Sequence, residues 1–125
     1  MSDGPVGRVL VVDDDEDVRN VLFAALSDAG YEVTTASDGE EAIESVRRRR
    51  PDLILLDLMM PRVSGWGFTE RYAREPGPHA PIIVITAVSG QVLRLPEQGV
   101  TRVLPKPFSV DALLRLVERA LARQL

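Results

Sequence analysis

The run Leu53-Ile-Leu-Leu-Asp57 constrains the fold of this chain more than any other stretch. Four consecutive apolar residues suit a short strand buried on both faces, as in a parallel sheet. The run then breaks at once, into Asp57, Pro61 and the glycines Gly65 and Gly67. A parallel strand that ends in an acid and a loop carries that acid at the C-terminal rim of the sheet, where open α/β sheets bind ligands. Aspartate is also a common turn residue. Taken alone, the stretch leaves Asp57 open between a site and a turn.

The same grammar recurs along the chain. Arg8-Val-Leu-Val-Val12 reads as a first strand and runs into Asp13-Asp14-Asp15-Glu16. A helical pattern follows, with Val18, Val21, Leu22, Ala25 and Leu26 on its inward face and Gly30 where a terminating glycine is expected. Tyr31 to Ala36 alternates as a second strand, and Ser37-Asp-Gly-Glu40 fits a capping box with Ser37 as N-cap. The helix it starts turns Ala42, Ile43 and Val46 inward and ends in Arg47 to Arg50, cations that complement its dipole. After the third strand, Gly65 to Glu75 predicts a helix with Trp66, Phe68 and Tyr72 as its bulky contacts. Pro76 to Pro81 is a loop carrying His79, the only histidine, and Ile82-Ile-Val-Ile-Thr86 is a fourth buried strand. Ser89 to Gly99 is a weak helix interrupted by Pro96, expected to be short, bent or mobile. Arg102-Val-Leu-Pro105 forms a fifth strand, and Ser109 caps a last helix with the stripe Val110, Leu113, Leu114, Val117 and Leu121.

Strict β-α alternation, five times over, implies an α/β fold: a (βα)5 doubly wound parallel sheet, for which the flavodoxin-like order 2-1-3-4-5 is the expectation. Residues 1–7 read as a tail and 8–125 as the one domain. At 125 residues the chain can bury a proper core. Its formal charge of −4 and the dipole reading of Arg47 to Arg50 argue against direct nucleic-acid binding. The absence of cysteine excludes disulfides and thiolate metal sites. No apolar run is long enough to span a bilayer and no signal peptide is visible, so a cytoplasmic location without membrane attachment is expected.

In that strand order the first and third strands are neighbours at the switch point. Asp13, Asp14 and Asp57 then gather at one rim, beside Thr86 and Lys106. Two unit charges at 4 Å repel by about 4 kcal/mol at an effective dielectric of 20, so the acids need relief. An all-oxygen cluster with no His or Cys nearby suits a hard cation, with Mg²⁺ the expected one. Of 15 basic residues, 14 are arginine, and the lone lysine is Lys106. A compact ammonium, a hydroxyl and a cation suit the oxygens of a transferring phosphoryl group, with a carboxylate as nucleophile. Neither a Walker loop nor GxGxxG is present.

Four motifs in order, Val11-Val-Asp13-Asp14, Leu55-Leu-Asp57-Leu-Met-Met-Pro61, Ile85-Thr86-Ala87 and Leu104-Pro105-Lys106-Pro107-Phe108, make the chain resemble the receiver domain of two-component response regulators from Arg8 to Leu125. The resemblance implies that Asp57 takes a phosphoryl group from a sensor histidine kinase or phosphotransfer protein. It implies that Asp14, Asp57 and the backbone carbonyl of Met59 ligate Mg²⁺ directly, with Asp13 acting through a metal-bound water. Thr86 and Lys106 would bind phosphoryl oxygens, and the Lys106–Pro107 bond is expected to be cis.

Two departures from the family pattern concern how the signal is reported. Val103 stands where an aromatic residue usually couples to the hydroxyl, and the interval from Thr86 to Lys106 is about two residues short. Met59 and Val88 are apolar where side chains govern water access, so a slowly hydrolysed acyl phosphate is expected. The resemblance makes the chain a self-phosphorylating switch rather than an enzyme acting on other molecules. The alternative is a pseudo-receiver that binds partners without phosphorylation. A small-molecule phosphatase or phosphotransferase would need a cap or substrate pocket, and none is visible. The output partner or fused effector is not specified by the sequence, and the apolar face of the last helix is compatible with a homodimer.

Overall fold

A computed structural model describes residues 7–57, 65–86 and 100–122. Its strands are β1 (Arg8–Val12), β2 (Glu32–Ala36), β3 (Leu53–Asp57), β4 (Ile82–Thr86) and β5 (Val100–Pro105). Its helices are α1 (Glu16–Asp28), α2 (Gly39–Arg48), α3 (Gly65–Arg74) and α4 (Val110–Ala122). The strands form one sheet in the order β2-β1-β3-β4-β5, every pair parallel. The expected fold class and strand order are both observed. The weak helix expected over residues 89–99 lies outside the described residues, as do Met59 and Val88.

The pleat divides the core in two. Leu10, Val12, Ile54, Leu56, Ile82 and Val84 face Ala42, Ile43 and Val46 of α2 and Phe68 and Tyr72 of α3. The alternate residues Val9, Val11, Leu53, Leu55, Ile83 and Ile85 face Leu22 and Leu26 of α1 and Leu113 and Val117 of α4. All five residues of β3 and all five of β4 are buried, which is why these strands read as unbroken apolar runs. Each fully buried Leu, Ile or Val contributes about 1.5–3 kcal/mol relative to exposure.

Helix ends follow local chemistry. Asp15 caps α1, its carboxylate accepting the N–H groups of Asp17 at 2.9 Å and Val18 at 3.3 Å. At the other end Gly30 adopts φ 98°, the left-handed conformation expected of a glycine stop. The cap of α2 differs from expectation by one residue. Asp38, not Ser37, is the N-cap: its Oδ1 accepts the Glu41 N–H at 2.8 Å, and Glu41 Oε1 accepts the Ser37 N–H at 2.7 Å. The sequence offers both Ser37–Glu40 and Asp38–Glu41, and an ionised carboxylate is the stronger acceptor at a helix N-terminus.

Three more expectations are corrected. Val21 is 54% exposed on α1 and Val110 is 40% exposed at the start of α4, so neither lies on its helix's buried stripe. β5 begins at Val100, two residues earlier than expected, and skips one residue in its register against β4. Ser109 does cap α4, its Oγ accepting the Ala112 N–H at 3.1 Å. The remainder of the α4 stripe packs within the chain, Leu114 and Leu121 joining Leu113 and Val117 against the core.

Two of the four arginines at the end of α2 pair with acids of this chain. Arg47 forms two hydrogen bonds to the Glu75 carboxylate, each 2.9 Å, and Arg49 lies 3.2 Å from Glu32. No helix among the described residues is long and apolar enough to cross a membrane.

Candidate functional site

Topology brings three strand ends together. β1 and β3 are adjacent, with Val12 opposite Leu56, so the residues that follow and end them, Asp13 and Asp57, are neighbours at the rim. Asp13 and Asp57 are buried, at 2% and 4% exposure, while Asp14 is exposed. One carboxylate oxygen from each of the three lies within 4.8 Å of the others. Thr86 is fully buried at the end of β4, the strand next to β3. Its carbonyl accepts the Lys106 N–H at 2.9 Å, which carries the β4–β5 ladder one residue past β5. That link sends the Lys106 side chain over the rim, its Nζ 3.4 Å from Asp13 Oδ2 and 3.7 Å from Asp57 Oδ2. The Lys106–Pro107 peptide is cis, as expected.

Asp13 is fixed on every side. Its N–H donates to the Ala36 carbonyl at 3.1 Å, and its Oδ1 accepts the Asp15 N–H at 2.9 Å. Burial holds its pKa above the ordinary carboxylate value of 3.8. The Asp15 N–H works against that shift, the negative charge of Asp57 adds to it, and Lys106 opposes it. Sequence reading missed Arg19, whose Nη1 donates to the Asp13 carbonyl at 2.7 Å. The signal available was its place on α1, six residues after Asp13 and close enough to reach back over the first turn.

Three carboxylates face one ammonium, so the acids exceed Lys106 by two charges. An oxygen-only donor set with that surplus fits a hard divalent cation better than a soft transition metal. Of the residues expected in the site, Asp13, Asp14 and Asp57 gather within 4.8 Å, Lys106 reaches Asp13 and Asp57, and Thr86 is tied to Lys106 through the backbone. Val103, opposite Val84 on β5, is partly buried against the core beneath α2 and α3.

A 2-1-3-4-5 parallel sheet with acids at its β1/β3 switch point defines a flavodoxin-like doubly wound domain that does its chemistry at the strand C-termini. Residues 9–118 match the family model of the response regulator receiver domain. This chain belongs to that family. It is 47% identical over 120 residues to the response regulator MprA of Mycobacterium leprae, covering 94% of this chain and 51% of that protein. The chain thus spans about half the length of the curated relatives it matches. Among solved structures it is similar to the chemotaxis response regulator CheY4 of Vibrio cholerae, with a TM-score of 0.81 at 34% identity, covering 90% of this chain and 97% of that one. It is also similar to the receiver domain of NtrX from Brucella abortus, with a TM-score of 0.83 at 30% identity over 91% and 98% of the two chains. The chain is therefore a receiver domain of the two-component type, built to accept a phosphoryl group.

Proposed function

We propose that Asp57 is the phosphoacceptor, taking its phosphoryl group from a phosphohistidine of a sensor kinase or phosphotransfer protein in the cytoplasm. The observation that carries the reading is Lys106, whose ammonium sits between the buried carboxylates of Asp13 and Asp57. A carboxylate oxygen of Asp57 attacks phosphorus, the P–N bond breaks, and its electron pair returns to the imidazole nitrogen of the donor. The product is an acyl phosphate on Asp57. Lys106 balances charge that grows on the phosphoryl oxygens, as positioned cations do in phosphoryl transfer. The Thr86 hydroxyl would donate to one of those oxygens once they arrive. Asp13 and Asp14, with Asp57 and the carbonyl of Met59, would hold Mg²⁺, which when bound neutralises phosphoryl charge that the acids alone would repel. Arg19 acts as a positioning residue, holding the Asp13 backbone so that its carboxylate keeps its direction. The chain switches itself in this reading and does not turn over a separate substrate. Phosphorylation then alters the chain's fit to an output partner or to an effector elsewhere in a longer protein.

The test is incubation with acetyl phosphate and Mg²⁺ followed by intact-mass measurement. One added phosphoryl group is expected in the parent, and none in Asp57→Asn. An unmodified parent would instead favour the pseudo-receiver reading, for which Val103 in place of an aromatic residue is the supporting observation.

A further inference from the structure

The outer edge of β2 is regular, pairs with no other strand among the described residues, and is flanked by Phe23 of α1 and one face of α2. β2 pairs with β1 from Arg8↔Glu32 to Val12↔Ala36 without a bulge. Glu32 donates its N–H to the Gly7 carbonyl, and Ala36 accepts the Asp13 N–H. In a parallel ladder the alternate residues point the same way, so Val33 and Thr35 turn their N–H and C=O groups outward. Edge strands commonly resist pairing through a proline, a bulge or an uncompensated charge. β2 has no proline, and its single charge, Glu32, is neutralised within the chain by Arg8 at 3.3 Å and Arg49 at 3.2 Å.

Both faces beside this edge carry matching features. Phe23 of α1 is 48% exposed. With Val33, Thr34 and Thr35 it lines an open groove whose other wall is Glu41, Glu44, Ser45 and Arg48 of α2. Those four α2 positions have the i, i+3, i+4, i+7 spacing of one helix face. The face is acidic at its rim end, at Glu41 and Glu44, and basic at its far end, at Arg48. Among the described residues neither Glu44 nor Arg48 forms an ion pair.

We propose that this edge is a two-fold interface with a second copy of the chain, β2 pairing antiparallel with its equivalent across a dyad at Thr34. In that register Val33 of each copy meets Thr35 of the other as a hydrogen-bonded pair, and the two Thr34 residues meet as a non-hydrogen-bonded pair. All the outward groups of Val33 and Thr35 are then used. Reversing the strand direction sets the Glu41 end of one α2 against the Arg48 end of the other, and the symmetry repeats the contact. The dyad stands perpendicular to the sheet, so both Phe23 side chains lie on the same face beside it. Parallel pairing would instead align acid with acid and base with base. The acidic rim at Asp57 remains outside the contact.

The chain contains no cysteine, so Thr34→Cys places a single thiol on the dyad. Non-hydrogen-bonded partners have Cα atoms about 4.5 Å apart, within disulfide range. Under mild oxidation Thr34→Cys should form a covalent dimer at least about tenfold faster than Ala73→Cys, an exposed control on α3. Sedimentation of the parent should show a monomer–dimer equilibrium, weakened about tenfold or more by Arg48→Glu. Adding Glu41→Arg to that variant swaps the charges and should restore association. A parent that stays monomeric to millimolar concentration overturns the proposal. So does a dimer that Arg48→Glu leaves unchanged, or Thr34→Cys that cross-links no faster than Ala73→Cys.

Discussion

Lys106→Met is the perturbation that reads the site most directly. At an effective dielectric of 20, the ammonium's attraction to Asp13 at 3.4 Å is on the order of 5 kcal/mol, and that to Asp57 at 3.7 Å about 4.5 kcal/mol. The repulsion between the two carboxylates, within 4.8 Å, is about 3.5 kcal/mol on the same scale. Lys106 therefore turns a repulsive pair into an attractive triad, and its removal leaves the repulsion unrelieved. Removing one partner of a buried ion pair costs about 3–5 kcal/mol. Lys106 keeps 24% of its side chain exposed and recovers part of its hydration, so a loss of about 2–3 kcal/mol is expected. For a domain of this size that is a fall of roughly 8–12 °C in Tm. The pKa of Asp13 is raised, so folding favours its protonated form. That contribution is complete below 3.8 and is lost as pH rises through the raised folded value. Thermal melts of parent and variant in chelator should therefore differ most near neutral pH, and the difference should narrow as acid protonates Asp13. Asp13→Asn should also shrink the penalty of Lys106→Met. An equal difference at pH 7 and pH 4, or one that Asp13→Asn leaves intact, would refute the charge argument.

The remaining predictions test the chemistry and the scaffold separately. Chelator-treated protein should gain stability when Mg²⁺ is titrated in, by about 2.7 kcal/mol at a hundred times the dissociation constant, and Asp57→Asn should lose most of that gain. Aspartyl phosphate made with acetyl phosphate should decay slowly, and Met59→Asn should speed its loss as followed by intact mass; decay unaffected by that change would acquit the apolar residue at 59. Tyr72→Phe removes the hydroxyl that accepts the Ala80 N–H at 2.7 Å, and chemical denaturation should show about 1–2 kcal/mol lost. Gly30→Ala forces a Cβ into φ 98° and should cost on the order of 1 kcal/mol in the same assay.

Strands and site were readable because the signals that define them are local or topological. A buried parallel strand announces itself as an apolar run, and β3 and β4 have no exposed residue to blur it. Once the strand order is known, Asp13 and Asp57 must meet, since β1 and β3 are adjacent and both end at the same rim. Lys106 could be singled out because it is the only lysine. Its distance from the acids could not, since that depends on the Lys106 N–H bond to Thr86 extending the ladder past Pro105. Arg19 escaped notice because its partner is a backbone carbonyl, and a carbonyl leaves no mark in a sequence.

The two misread helix-stripe positions, Val21 and Val110, share one cause. Helical periodicity marks the direction in which a helix is apolar, while the neighbouring sheet sets how wide a stripe it covers. Val21 and Leu22 are adjacent on α1, and only Leu22 reaches the core. Val110 belongs to the α4 stripe by spacing but sits at the helix start, and the stripe is buried at Leu113 and Val117. Phe23 is exposed for a related reason. α1 packs against β1 and β2 at the side of the sheet where strands end, so part of its apolar surface overhangs the open edge of β2. An apolar residue that periodicity cannot place on the core face is then not noise in the pattern. It reports where the sheet stops, and that boundary is where this fold has surface left for a partner.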